Sequence, residues 1–232
     1  MSLDVIFFDV GNTLLFPDHE KTLAPLWRRG LHPTEAQLYA AERVARQEMD
    51  LLISRTRKID QQYWETYYSH LLHTLGTSDV SLRLELVSLA RTSANWSRQR
   101  PGTNQVLGAM KQRYRLGVIS NSDGHMSERL STLGLGHYFE QVIDSGNVGH
   151  EKPAPQIFQA ALSAMSVSAD HALYLGDIYS VDYLGAQAVG MKAMLMDVAG
   201  VYAARSLPRI ESLDELDERI LDVDRAALRG GA

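Results

Sequence analysis

Cysteine is absent from the 232 residues. Its absence removes disulfide frameworks, thiolate metal sites and a cysteine nucleophile together, so any chemistry rests on carboxylates, hydroxyls, amines or imidazoles. Long apolar runs are missing as well. Nothing approaches the roughly 20 residues of a spanning helix, and the first apolar run, Val5–Phe8, meets Asp9 at once, unlike the core of a secretion signal. The expectation is a cytoplasmic protein with no membrane partner. A surplus of positive charge is lacking too: 23 Lys+Arg stand against 28 Asp+Glu, a net charge of -5, with both signs mixed along the chain. Such a chain has no long-range attraction for nucleic acid, and none is expected as a partner. Repeats and low-complexity tracts are not found, and the eight histidines show no metal-ligand spacing. A hydrophobic share of 45% is enough for a packed core, either one α/β domain or a core with a smaller insertion.

What is present is a series of short apolar runs, rich in β-branched or aromatic residues, each closed by a polar or glycine-containing turn. They are Val5–Phe8, Leu116–Ile119, Val142–Ile143 and Ala172–Leu175, with Ala193–Met196 following the helix stop at 188–190. Runs apolar on both faces suit parallel strands buried under helices. Helical patterns at 104–114, 125–133 and 155–165 alternate with them. The expected fold class is therefore α/β, a doubly wound parallel, Rossmann-like sheet whose ligands bind beyond the carboxyl ends of the strands.

Between 17 and 100 no strand signal is found. Thr34 with Gln37 reads as a capping box, and Leu38, Ala41, Ala45, Met49 and Leu52 mark one helical face. Asp60 reads as the cap of a second helix carrying Trp64, Tyr67, Tyr68, Leu71 and Leu75, and Asp79 as the cap of a third with Leu82, Leu86 and Leu89. Pro101-Gly102 marks the return to the sheet. The expected organisation is a core of 1–16 and 101–232 with an α-helical insertion at 17–100. The aromatic stripe reads as the insertion's own core, and Arg229–Ala232 as a frayed tail.

Four polar clusters stand immediately after four of the strand runs, a placement that brings them to one edge of the sheet although they are far apart in sequence. Asp9-Val10-Gly11-Asn12-Thr13 follows the first, Ser120-Asn121 the second and Gly176-Asp177 through Asp182 the fourth, while Lys152, past the third run, opens Lys-Pro-Ala-Pro before a helix. Carboxylates beside a lysine and a hydroxyl suit a hard divalent cation and a phosphoryl group: oxygen ligands fit Mg²⁺ and donors fit phosphate oxygens. A carboxylate there can also attack phosphorus.

In order and spacing, Phe8-Asp9-x-x-x-Thr13-Leu14, Ser120-Asn121, Lys152-Pro153 and Gly176-Asp177-x-x-x-x-Asp182 resemble the four motifs of the haloacid dehalogenase-like hydrolase superfamily, in its helical-cap (C1) subfamily. The resemblance covers essentially the whole chain. It implies that Asp9 is a nucleophile taking up a phosphoryl group and that Lys152 neutralises nucleophile and phosphate. It implies further that Thr13, Ser120 and Asn121 line the substrate side, that Mg²⁺ is held by Asp9, the Gly11 carbonyl and Asp177, that Asp182 is a supporting carboxylate, and that 17–100 is the cap that selects the leaving group. The expected substrate is a small phosphorylated, or otherwise anionic, molecule.

One position departs from the pattern. Phosphatases of that superfamily usually carry a second aspartate two residues after the nucleophile, as acid for the leaving group and then base for water; here the residue is Gly11. General acid-base help is worth about 10²–10⁴-fold. Three other readings follow: a haloacid dehalogenase, disfavoured by the acidic fourth cluster; a phosphonate hydrolase, for which Lys21 and Lys58 are the only cap lysines; and a non-catalytic Mg²⁺- and anion-binding protein. A receiver-type regulatory module also pairs such groups, but the long insertion disfavours it. His125 is the best-placed imidazole, and Arg55, Arg57, Lys58, Arg98 and Arg100 read as solvated surface charge.

Overall fold

In the computed structural model, residues 3–56 and 62–220 are described; Arg57, Lys58, Asp60 and the tail Arg229–Ala232 lie outside them. The chain divides into two compact units, one made of the residues up to Leu15, Gln99–Val198 and the chain from Arg205, the other of Phe16–Arg98 with Ala199–Ala204.

In chain order the strands are β1 (Val5–Phe8), β2 (Phe16–Pro17), β3 (Trp96–Arg98), β4 (Arg115–Ser120), β5 (Gln141–Asp144), β6 (Ala172–Gly176), β7 (Lys192–Met196) and β8 (Arg209–Ile210). Six of them form the sheet of the first unit in the order β5-β4-β1-β6-β7-β8, and every pairing is parallel. The β1 residues are fully buried, as a strand covered by helices on both faces must be. The chain runs outward from β1 through β4 to β5 and then crosses to the far side of β1 to make β6. That reversal opens a crevice at the carboxyl ends of the central strands. Leu14, Leu107, Leu130, Leu175 and Met196 belong to the apolar core that fixes the sheet.

In the second unit, the Thr34–Gln37 capping box forms: the Thr34 N–H donates to Gln37 Oε1 at 2.8 Å and the Gln37 N–H to Thr34 Oγ1 at 3.3 Å. It opens the helix Glu35–Thr56, which buries Leu38, Ala41, Ala45 and Met49 but also Ile53 and Arg46. Asp79 caps Val80–Arg91 through the N–H groups of Ser81 and Leu82. Trp64, Tyr67 and Tyr68 of the helix Tyr63–Thr74 pack against one another, and Trp64 also meets Trp96. The interval is not strand-free, contrary to expectation: β2 and β3 pair antiparallel, and the Asp18 N–H donates to the Asn95 carbonyl at 2.7 Å. Strands of two and three residues are too short to show a period, and they form where the two ends of the insertion meet. Among the described residues, no helix is long and apolar enough to cross a membrane.

Candidate active site

Asp9 follows β1 directly, and its N–H donates to the Leu175 carbonyl of β6 at 2.8 Å. The next turn is tight. Asn12 takes a left-handed backbone conformation, φ 52°, which asparagine tolerates better than most residues. The N–H groups of Leu14 and Leu15 both return to the Val10 carbonyl. The Asn12 side chain spans to the fourth cluster, with Nδ2 donating to Asp177 Oδ2 at 3.1 Å. Thr13 is fully buried, and its Oγ1 has no hydrogen-bond partner among the described residues.

Lys152 is 3% exposed, and its ammonium is the hub of the site. Nζ donates to Asp9 Oδ1 at 2.6 Å, Tyr174 Oη at 2.7 Å and Asp182 Oδ1 at 2.8 Å. Its backbone is held by Asn121, whose Nδ2 donates to the Lys152 carbonyl at 3.0 Å and whose Oδ1 accepts the Lys152 N–H at 2.7 Å. The Asn121 amide thus reaches the lysine that follows β5. Ser120, the buried last residue of β4, pairs in register with Asp144 at the end of β5.

Asp182 is held from both sides. Oδ1 accepts from Lys152 and from Tyr174 Oη at 3.0 Å; Oδ2 accepts the N–H groups of Asp177 at 3.1 Å and Ile178 at 2.9 Å. That approach depends on Gly176, because a Cβ there would lie 2.5 Å from Asp182 Cγ. Asp144 braces the neighbouring loop by accepting the N–H groups of Gly124, Met126 and Gly146, each at 3.0 Å.

Burial pushes the Asp9 carboxyl up to about 6, against the opposing pull of Lys152. Burial works against the charge on Lys152 as well, but Asp182 and Asp9 together outweigh it and hold the ammonium above the ordinary lysine range. Asp9, Asp177 and Asp182 each offer a carboxylate oxygen within 4.8 Å of the others. An all-oxygen donor set of this kind, on buried side chains, fits a hard divalent cation. With both oxygens of Asp182 turned to Lys152, Tyr174 and the 177–178 backbone, Asp9 and Asp177 are the carboxylates better placed to hold such an ion.

The sheet therefore brings Asp9, Lys152, Asp177 and Asp182 together, with Ser120, Asn121 and Thr13 on the elements that carry them. Gly11 lies in the turn and offers no side chain. His125 stands apart, its side chain 75% exposed and Nδ1 3.9 Å from Glu128. Lys21 is an exposed partner of Asp18 at 3.2 Å. Sequence reasoning placed Asn12 in the first cluster without giving it a role, and missed Asp144 and Tyr174. Asp144 stood at a strand's carboxyl end, like the residues that were found, and Tyr174 was the one hydroxyl within an apolar run.

Residues 3–190 match the family model described as haloacid dehalogenase-like hydrolase. A glyceraldehyde 3-phosphate phosphatase of Pyrococcus abyssi is 32% identical over 203 residues, which cover 83% of this chain and 80% of that protein. Haloacid dehalogenase-like hydrolase domain-containing protein 3 of Xenopus laevis is 30% identical over 208 residues, covering 84% of this chain and 85% of that one. Among solved structures, the putative HAD-hydrolase YfnB of Bacillus subtilis superposes with a TM-score of 0.65 at 20% identity, covering 93% of this chain and 97% of that one. At that identity the likeness concerns the fold.

Proposed function

The chain belongs to the haloacid dehalogenase-like hydrolases, and from that premise we propose that it is a Mg²⁺-dependent phosphatase of small molecules working through an aspartyl-phosphate on Asp9. The observation that carries this reading is the buried Asp9 carboxylate with the Lys152 ammonium 2.6 Å from Oδ1, at the strand ends where such a sheet binds ligands. Phosphatase-named relatives support a phosphate ester as the substrate class.

Asp9 attacks the phosphorus in line, forming an O–P bond as the bond to the leaving oxygen breaks. Two anions must meet for this to happen. Lys152 supplies one compensating charge at Asp9 itself, and Asp182 holds Lys152 there. Mg²⁺ held by Asp9, Asp177 and the Gly11 carbonyl would supply the remaining charge compensation. Ser120 and Thr13 are the hydroxyls assigned to the phosphoryl oxygens, and the insertion at 17–100 is the part assigned to choosing the leaving group. Water then attacks phosphorus, the Asp9 O–P bond breaks, and inorganic phosphate leaves. Because Gly11 contributes neither acid nor base, esters with a good leaving group, aryl or acyl phosphates, are the preferred substrates.

The test is hydrolysis of a panel of small sugar, polyol, acyl and aryl phosphates with and without Mg²⁺. The parent should release phosphate only with the metal, and Asp9→Asn should lose at least about 10³-fold. Gly11 also favours a second reading, a Mg²⁺- and anion-binding protein without turnover. Metal binding by calorimetry with no hydrolysis of any ester in the panel would establish it instead.

A further inference from the structure

We propose that Tyr174 is a positioning residue of this site: its buried hydroxyl takes the third N–H of Lys152 and so keeps the ammonium on Asp9. The inference rests on the reading of Asp9 as nucleophile. An ammonium has three N–H groups, and here each has an acceptor inside the protein: Asp9 Oδ1 at 2.6 Å, Asp182 Oδ1 at 2.8 Å and Tyr174 Oη at 2.7 Å. Two of these are carboxylates that compete for the same cation. The third is neutral, and it decides how the ammonium is oriented between them.

Tyr174 is built to do this. Its ring is fully buried on β6 and meets Phe158 edge to face at 5.4 Å between centroids. Its one proton has two acceptors within reach, Asp182 Oδ1 at 3.0 Å and the Ile119 carbonyl of β4 at 3.2 Å. Giving the proton to either leaves an oxygen lone pair for Lys152. The hydroxyl thus ties together the central strands β4 and β6, the carboxylate of Asp182 and the lysine that follows β5. Leu173 and Leu175 on either side are buried hydrocarbon. Phenylalanine would fill the same space, so packing alone does not account for the oxygen.

The consequence is specific. With all three N–H groups engaged by the protein, Lys152 acts on the nucleophile and does not reach out to recruit the ester. Removing the Tyr174 hydroxyl leaves an N–H without an acceptor in a water-poor site and frees the ammonium to tilt from Asp9 toward Asp182. The attack step should suffer, and ester binding should not.

The test is Tyr174→Phe in the full chain, folded state being checked by thermal unfolding. Two readouts are needed: ¹⁵N-resolved side-chain spectra of the metal-free protein, with the Lys152 ammonium assigned through Lys152→Arg, and steady-state kinetics on p-nitrophenyl phosphate with Mg²⁺. The parent should show a Lys152 ammonium protected from exchange. The variant should exchange it about tenfold faster and lose about tenfold in kcat, with KM within about twofold. Unchanged exchange in the variant, faster exchange with an unchanged kcat in an active enzyme, or a parent ammonium that exchanges like a surface lysine would each overturn the proposal. A parent that hydrolyses no ester would sink the phosphatase reading alone, because ammonium exchange still decides the role of Tyr174. If Tyr174→Phe does not fold, Tyr174→Met, flexible enough to fill the gap, carries the same test.

Discussion

Three carboxylates and one ammonium share the carboxyl edge of the sheet, so charge balance governs how single substitutions behave there. Lys152→Ala leaves Asp9 and Asp182 facing each other without their cation. Breaking a buried pair in this way costs about 3–5 kcal/mol, and the lost charge should lower kcat/KM at least tens-fold. Urea denaturation and steady-state kinetics check the two effects, and an unchanged midpoint with unchanged kinetics would remove Lys152 from the account. Asn12→Gly separates two roles of one side chain, since glycine accepts φ 52° but cannot donate to Asp177. Partners of metal-holding carboxylates are typically worth about 10–100-fold in affinity, so titration calorimetry should find Mg²⁺ binding weakened by about tenfold. Gly11→Asp restores a carboxylate where an acid is wanted. It should accelerate alkyl phosphates more than aryl phosphates, by up to about 10²–10⁴-fold; equal acceleration of both would mean that the leaving group already receives its proton elsewhere. Asp9 and Asp177 were legible because each stands at the end of an apolar run, and Lys152 because Lys-Pro-Ala-Pro opens a helix. Asn12 and Tyr174 were not, because their roles depend on contacts across 165 and 22 residues of chain.

The same division between local and distant signals holds for the elements. Helix starts with local capping chemistry, Thr34–Gln37 and Asp79, formed where the sequence placed them. The five apolar runs became strands extended by at most two residues. What was missed depends on pairing with distant chain: β8 adds two residues to the edge of the sheet against β7, and β2 with β3 closes the base of the insertion. The segment Ala199–Ala204 joins the second unit, with Arg43 Nη1 donating to the Ala199 carbonyl at 2.9 Å, and nothing in its composition announces that. Asp79 provides a prediction at this scale. The N–H of Leu82 and the hydroxyl and N–H of Ser81 hold its carboxyl below the ordinary carboxylate range. A depressed folded value means that the contribution is fully present above the unfolded pKa and is lost as pH falls through the folded one. Asp79→Ala should therefore lower Tm by a constant amount from pH 8 to 5, and the gap should shrink below about pH 4. A gap independent of pH would show that the charged cap is not what the variant removes.

At the scale of the whole chain, the order β5-β4-β1-β6-β7-β8 is what turns four separated motifs into one site. β1 lies between β4 and β6, so Asp9 meets the residues that follow both of its neighbours. The coincidence of polar clusters with strand ends makes the candidate site readable in outline from the sequence. The same reasoning left the substrate open, because nothing local to the four motifs describes the leaving group. The central claim is that phosphorus passes to Asp9. Its most direct test is a rapid-quench single turnover with a ³²P-labelled aryl phosphate and Mg²⁺, followed by acid quench and peptide mapping. The account predicts an early burst of aryl alcohol and acid-stable label on the peptide bearing Asp9, decaying as inorganic phosphate appears and absent from Asp9→Asn. Phosphate release at the burst rate with no label on that peptide at any time would contradict it.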